Sequence, residues 1–162
     1  MVRNEQRPRA TMDDGTARHA LREYDISPEE SLRLLAGVRL GRVAFSRNAL
    51  PTIRPVNHAV ADGFVIIRAN LGSALTSSER QVVAFVADAI DQETHSGWWV
   101  IVTGFAEEIV DRELRDRYLA VLPSLLPGPR DQVVAIRPDI VTGVRLADPD
   151  DATAGCEEPP PR

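Results

Sequence analysis

The stretch Ile66-Ile67-Arg68-Ala69-Asn70-Leu71-Gly72-Ser73-Ala74 brings together groups that suit an anion. An apolar run ends on Arg68, a Gly-Ser pair follows, and residues 73–79 have the composition of a short helix. A permanent cation, a hydroxyl and the N–H groups of a helix N-terminus are what a phosphate needs. Gly72 lacks the Cβ that would hold the backbone away from a ligand. The same residues also suit an ordinary turn, with Ser73 as a helix cap and Arg68 as a surface side chain. Local chemistry leaves both open. All 19 basic residues are arginines, so any anion must be held by arginine, backbone N–H groups or hydroxyls, and no Schiff base can form on a lysine side chain.

Other chemistry-bearing residues are sparse. His19, His58 and His95 are far apart and show no metal-ligand spacing, so no metal site is expected, while a haem ligand at His58 or His95 stays open. There is no G-x-S-x-G elbow, and the one thiol, Cys156, lies in a polar tail, so no catalytic nucleophile, acid or base is nominated. Asp88, Asp91 and Glu93, and the pair Glu107-Glu108, read as solvated strand ends or loops. Trp98-Trp99 is more informative. On a strand the two rings point to opposite faces, so one can pack in a core while the other faces a groove, a ligand or a second subunit.

The elements that must position these residues are legible. Ser27-Pro28-Glu29-Glu30 has the pattern of a capping box with proline at the first helical position, and Leu32, Leu34, Leu35 and a stop at Gly37 follow. A second helix is predicted over 111–122, limited by Pro123. Strands are predicted over 38–46, 52–60, 64–69, 81–88, 98–106, 133–138 and 140–145, with Ala61-Asp62-Gly63 as a tight hairpin. Six or seven strands joined mostly by short turns favour antiparallel pairing. A closed or partly closed barrel with peripheral helices is the economical solution, because closure removes exposed edges.

With 162 residues, 43% of them hydrophobic, the chain is sized for one domain with a real core. Residues 1–20 and 147–162 are polar or acidic and proline-bearing, so they are expected to be disordered arms around a domain at 21–146. The net charge of -5 argues against a general nucleic-acid binder. No apolar run is long enough to span a bilayer and the N-terminus lacks a signal-peptide centre, so the expected place is the cytoplasm, with no membrane partner.

Taken in order, LGRVAF at 40–45, RPVN at 54–57, GS at 72–73 and SGW at 96–98 resemble the pyridoxamine 5′-phosphate oxidase-like family of flavin-binding split β-barrels, of the actinobacterial flavin or deazaflavin oxidoreductase type. The resemblance runs over residues 25–145. It implies a mainly β fold, a six-stranded antiparallel split barrel with peripheral helices, acting as a homodimer with cofactor sites at the interface. It implies FMN as cofactor, with a deazaflavin coenzyme, FAD or haem as alternatives, and hydride transfer to an unknown small-molecule substrate. A non-catalytic protein that binds or sequesters flavin or haem is the alternative function. Carried onto this chain, the backbone of Arg54, Pro55, Val56, Asn57 and His58 would follow the isoalloxazine edge. Arg68, Ala69, Ser73 and Ala74 would hold the ribityl phosphate, and Trp98 would approach the ring. Many relatives carry a cation after the position of Ser73; here it is Ala74, with Arg54 or Arg80 available to substitute. The C-terminal Trp and Arg that hold substrate in true pyridoxamine phosphate oxidases have no counterpart, so vitamin-B6 activity is not expected.

Overall fold

The computed structural model describes residues 21–47, 49–69, 81–122 and 132–149. Ten elements follow in order: β1 (Arg22–Ile26), α1 (Pro28–Gly37), β2 (Leu40–Arg47), β3 (Leu50–Ala61), β4 (Phe64–Ala69), β5 (Gln81–Ile90), β6 (Gly97–Glu108), α2 (Arg112–Val121), β7 (Gln132–Ile136) and β8 (Ile140–Ala147). The strands pair in the order β1-β8-β6-β5-β2-β3-β4-β7, and a further β6–β7 pairing closes six of them into an antiparallel barrel. β8 and then β1 extend the sheet outward from β6. The expected architecture is therefore present, with β1 as an unexpected eighth strand. β8 runs to Ala147, the first residue assigned to the tail. The expected arm at 1–20, the rest of the tail from 150 onward and the helix expected at 73–79 lie outside the described residues.

The barrel is not uniformly joined. β5 and β6 share ten residue pairs and β2 and β3 share eight. β2 meets β5 through only three (Arg42–Ala44), and β6 meets β7 through only three (Ala106–Glu108). Two broad ribbons are thus held together along two narrow seams. At the second seam a Cβ on Gly104 would stand 1.7 Å from the carbonyl oxygen of Arg137, so only glycine allows β6 this close to the end of β7.

Alternation on each strand sends one set of side chains inward. Val43 and Phe45, Val56, Val65 and Ile67, Val83 and Phe85, Val100 and Val102, and Val134 and Ile136 form the interior cluster, joined by Leu35 of α1. α2 covers part of the outside. Its Tyr118 and the following Leu122 pack on Ile66 of β4 and on Val133 and Ala135 of β7, forming a second cluster.

Both helices start as their sequences dictate. Ser27 Oγ accepts the Glu30 N–H at 3.2 Å, and Asp111 Oδ1 accepts the Leu114 N–H at 2.8 Å. The first box is only half used. The Glu30 carboxylate turns instead to Arg33 and to Arg145 of β8, the latter at 3.3 Å, tying the helix start to the sheet. The helices are also fastened to the barrel near their far ends. The Nε2–H of His58 donates to the Leu35 carbonyl at 2.9 Å, where α1 has no basic residue in its last turn. Asp62, in the left-handed region at φ 52° beside Gly63 at φ 78°, turns the β3–β4 hairpin. Its Oδ2 accepts the Tyr118 hydroxyl at 2.9 Å and also pairs with Arg117.

Candidate functional site

Alternation along β3 divides the residues nominated from the sequence. Asn57 lies opposite Leu40 of β2 and opposite Arg68 of β4, and Arg68 lies opposite Val133 of β7. Directly opposed residues of an antiparallel ladder share a face. Leu40, Asn57, Arg68 and Val133 therefore form one row on the outer side of the barrel. Pro55 continues this side two residues along, opposite Arg42, whose guanidinium reaches Asp88 of β5 at 2.9 Å. Arg54, Val56 and His58 take the inner side, opposite Val43, Gly41 and Ile67. Arg54 is thus on the opposite face from Arg68. Arg42 does lie on Arg68's side, two residues from Leu40 on β2, and was not singled out from sequence. Ala69 ends β4 opposite Gln132. Ser73, Ala74 and Arg80 lie outside the described residues.

The backbone of β3 has an open edge next to Arg68. Residues 50–57 pair with β2, but only residues 57–61 pair with β4, so 50–56 have a strand neighbour on one side among the described residues. The His58 N–H points to the β2 side, where it donates to the Arg39 carbonyl at 3.1 Å. Backbone groups alternate between the two edges of a strand, so Asn57, Pro55 and Ile53 turn theirs to the other edge. Pro55, which has no N–H, occupies a position there where a mid-sheet donor would be wasted.

Two polar side chains of this segment are buried: His58 keeps one hydrogen bond and leaves Nδ1 without a partner, and Asn57 has none. His58 is 1% exposed, its ring 4.8 Å from that of Phe85 and tilted to it. Burial pushes its pKa down, outweighing the upward pull of the Leu35 carbonyl, so the imidazole is a neutral donor inside the core. Asn57 is wholly buried on the other face, and neither its amide nitrogen nor its carbonyl oxygen has a hydrogen-bond partner.

The remaining candidates fall elsewhere. Trp98 is half-buried and packs against the interior cluster, so it is the core member of the pair. Trp99 faces outward, opposite Asp88 and Val144. Asp91 serves the β5–β6 hairpin: its Oδ1 accepts the N–H groups of Glu93 at 2.9 Å and Thr94 at 2.7 Å, and these bonds, that from Thr94 foremost, hold its pKa below the usual carboxylate range. Those carboxylates are loop chemistry, as their sequence implied. No group of three or more metal-ligating side chains occurs among the described residues, and none of their helices is long and apolar enough to cross a membrane. A shallow depression lined by Phe64, Phe105, Glu107, Ala135 and Arg137 sits at the opposite end of β4 from Arg68, away from this row.

Known proteins resemble this chain in sequence and fold. Over 128 residues the chain is 45% identical to the uncharacterized protein Rv0080 of Mycobacterium tuberculosis, covering 75% of this chain and 84% of that one. A solved structure of an FAD-binding protein from Mycobacterium smegmatis is 31% identical, with a TM-score of 0.58 over 75% of this chain and 96% of that chain. An FAD-binding protein from Mesorhizobium loti superposes with a TM-score of 0.66 over 79% of this chain and 99% of that chain; at 22% identity it speaks to the fold alone. A family model described as pyridoxamine 5′-phosphate oxidase matches residues 27–145, which spans every strand of the closed barrel and both helices. The chain belongs to the pyridoxamine 5′-phosphate oxidase-like family of split β-barrels.

Proposed function

We propose that the protein is a flavin-dependent oxidoreductase, using FMN or a deazaflavin coenzyme, that passes hydride to or from a small molecule. The observation that carries this reading is the open edge of β3 at residues 50–56, lying beside Arg68 in a barrel whose 31%-identical relative is an FAD-binding protein. A strand edge with no second strand paired to it among the described residues offers fixed backbone groups to the rim of a planar heterocycle, and Arg68 offers a cation to its phosphate. The buried, unpartnered Asn57 between them fits a site that is completed by a ligand. When bound, the flavin supplies the redox chemistry; the chain's residues bind and orient it and keep water from it. No acid or base is assigned.

The assembly in this reading is a homodimer. Ile53, Ala44, Ala84, Thr103 and Ile140 lie opposite one another in turn across β3, β2, β5, β6 and β8, on the outer side that α2 does not cover. Ile53, Val82 and Ile140 on this face are more than half exposed. An apolar face of this extent suits a second copy of the chain. The haem alternative loses one of its ligands, because the His58 ring is enclosed in the core with Nε2 already committed to Leu35.

The test is the visible spectrum of purified protein titrated with FMN, FAD and a deazaflavin coenzyme, followed by rapid mixing with NADH, NADPH or reduced deazaflavin. Saturable binding with reduction by one donor is the expected result. Binding without reduction by any donor would establish a sequestering protein instead, and no spectral change with any cofactor would refute the flavin site.

A further inference from the structure

The underside of α1 is seated on polar atoms that the docked helix leaves unsatisfied. The helix rests on β3, β6 and β8, with Leu35 fully buried in the interior cluster and Leu32 packed against it. Ser31, one turn before Leu35, is wholly buried, and its Oγ has no hydrogen-bond partner. It stands directly on the backbone of β8, where a Cβ on Gly143 would lie 2.1 Å from it. At the Leu35 carbonyl, His58 donates through Nε2 at 2.9 Å while its Nδ1 is buried without a partner. A neutral ring leaves one lone pair unsatisfied there; an imidazolium would set a charge and a second N–H in the same dry place.

The surroundings of the ring do not offset such a charge. β4 presents Ile67 and β5 the ring of Phe85. The link before β2 brings the exposed Arg39, whose carbonyl accepts the His58 N–H, and β3 itself carries Arg54 on the same face. α1 carries Glu29, exposed, and Glu30 in its first turn, and then Arg33; the Glu30 carboxylate is already shared by Arg33 and Arg145.

We propose that α1 is a proton-operated lid on the barrel: uptake of a proton at His58 undocks the helix, because only undocking brings the imidazolium and the Ser31 hydroxyl to water. Ser27 alone joins α1 to β1, and Val38-Arg39 join it to β2, so the helix cannot swing away whole and undocking unwinds its turns. The barrel is closed by strand pairing and stays as the frame. The device does not depend on the flavin reading.

Hydrogen exchange read by mass spectrometry from about pH 7.5 to about pH 5 tests it, with rates expressed as protection factors to remove the intrinsic effect of pH. Amides of α1 should be less protected than those of the β5–β6 ladder, and their protection should fall by up to about tenfold for each pH unit below 6.5. A flat profile, or α1 protected as strongly as that ladder, overturns the lid. His58→Gln keeps a donor for Leu35 and does not titrate, so it should flatten the profile; an unchanged slope overturns the proposal. Glu30→Gln removes the other titratable fastening and should keep the slope; its loss there places the proton on Glu30 and overturns the proposal. Ser31→Ala removes the orphaned hydroxyl and should raise α1 protection about fivefold at every pH; a fall marks Ser31 as a fastening and overturns the proposal. For a His58→Gln variant that does not fold, the ring-proton resonance of His58 in the wild type carries the same test. It should hold its neutral position until α1 amides begin to open, and titration at 6.5 with α1 still protected overturns the lid.

Discussion

The outer wall of the barrel has a covered part and a bare part. Over β4 and β7, Ile66 and Val133 are fully buried beneath α2. Over β2, β5, β6 and β8, side chains of the same kind, among them Val82, Ile101 and Ile140, face outward without a helix. The residue types hardly differ, so hydrophobicity alone does not say which wall a helix covers and which stays bare. What differs is the neighbourhood: α2 carries Tyr118 and Leu122 to one wall and no described element reaches the other.

That contrast can be broken directly. Ile66→Ala should cost about 2–5 kcal/mol of stability at any protein concentration, because it leaves a cavity under α2. Ile101→Ala should lie within about 0.5 kcal/mol of wild type in dilute protein and lose stability only where the dimer forms. Urea unfolding over a dilution series distinguishes these; an equal, concentration-independent loss in both would show that the bare wall is already packed. Next, Ile53→Arg combined with Val82→Arg should convert a dimer to a monomer by sedimentation with an unchanged circular dichroism spectrum. Persistence of the dimer would move the interface elsewhere.

Smaller effects sharpen how each helix is fastened. Tyr118→Phe deletes the bond to Asp62 while keeping the ring, and should cost about 1 kcal/mol in urea unfolding. On the other helix the fastening responds to pH. Burial lowers the His58 pKa from its ordinary value of 6.5, so below that pH the unfolded chain takes up a proton that the folded chain refuses. Stability is therefore complete above pH 6.5 and falls as the pH drops below it. His58→Gln should flatten that part of the profile; an identical slope in the variant would remove His58 as its source.

Most strands were legible because turn residues bracket alternating runs: Asp62-Gly63 marked its hairpin, and β4 at Phe64–Ala69 matches the expected bounds. β1 was not legible. REYDI is mostly exposed and polar, and what makes it a strand is its five-residue pairing with β8, a partner over a hundred residues away. The site was legible as segments and not as faces. Strand parity alone puts Asn57 with Pro55 and sets Arg54 and His58 against them, so that signal was available. Which parity faces inward depends on the barrel, as it does for Trp98 and Trp99. That Asn57 lies beside Arg68 depends on the β3–β4 register, which the two-residue turn fixes. The burial of Asn57 without a partner has no sequence signature at all.

The two narrow seams have a consequence for how the molecule moves. Ribbons joined internally by five to ten residue pairs are held to each other by three at each junction, at Arg42–Ala44 and at Ala106–Glu108, the latter flanked by the Ile109–Val133 and Arg137–Phe105 backbone hydrogen bonds. Opening one seam exposes few backbone hydrogen bonds, whereas separating β5 from β6 exposes a full ladder. Amide protons at the seams should therefore exchange with solvent long before those in the middle of either ribbon, like a shutter working on two hinges. Since β2 forms one seam and carries Arg42 and Leu40 beside Asn57, such breathing would reach the row that holds Asn57 and Arg68.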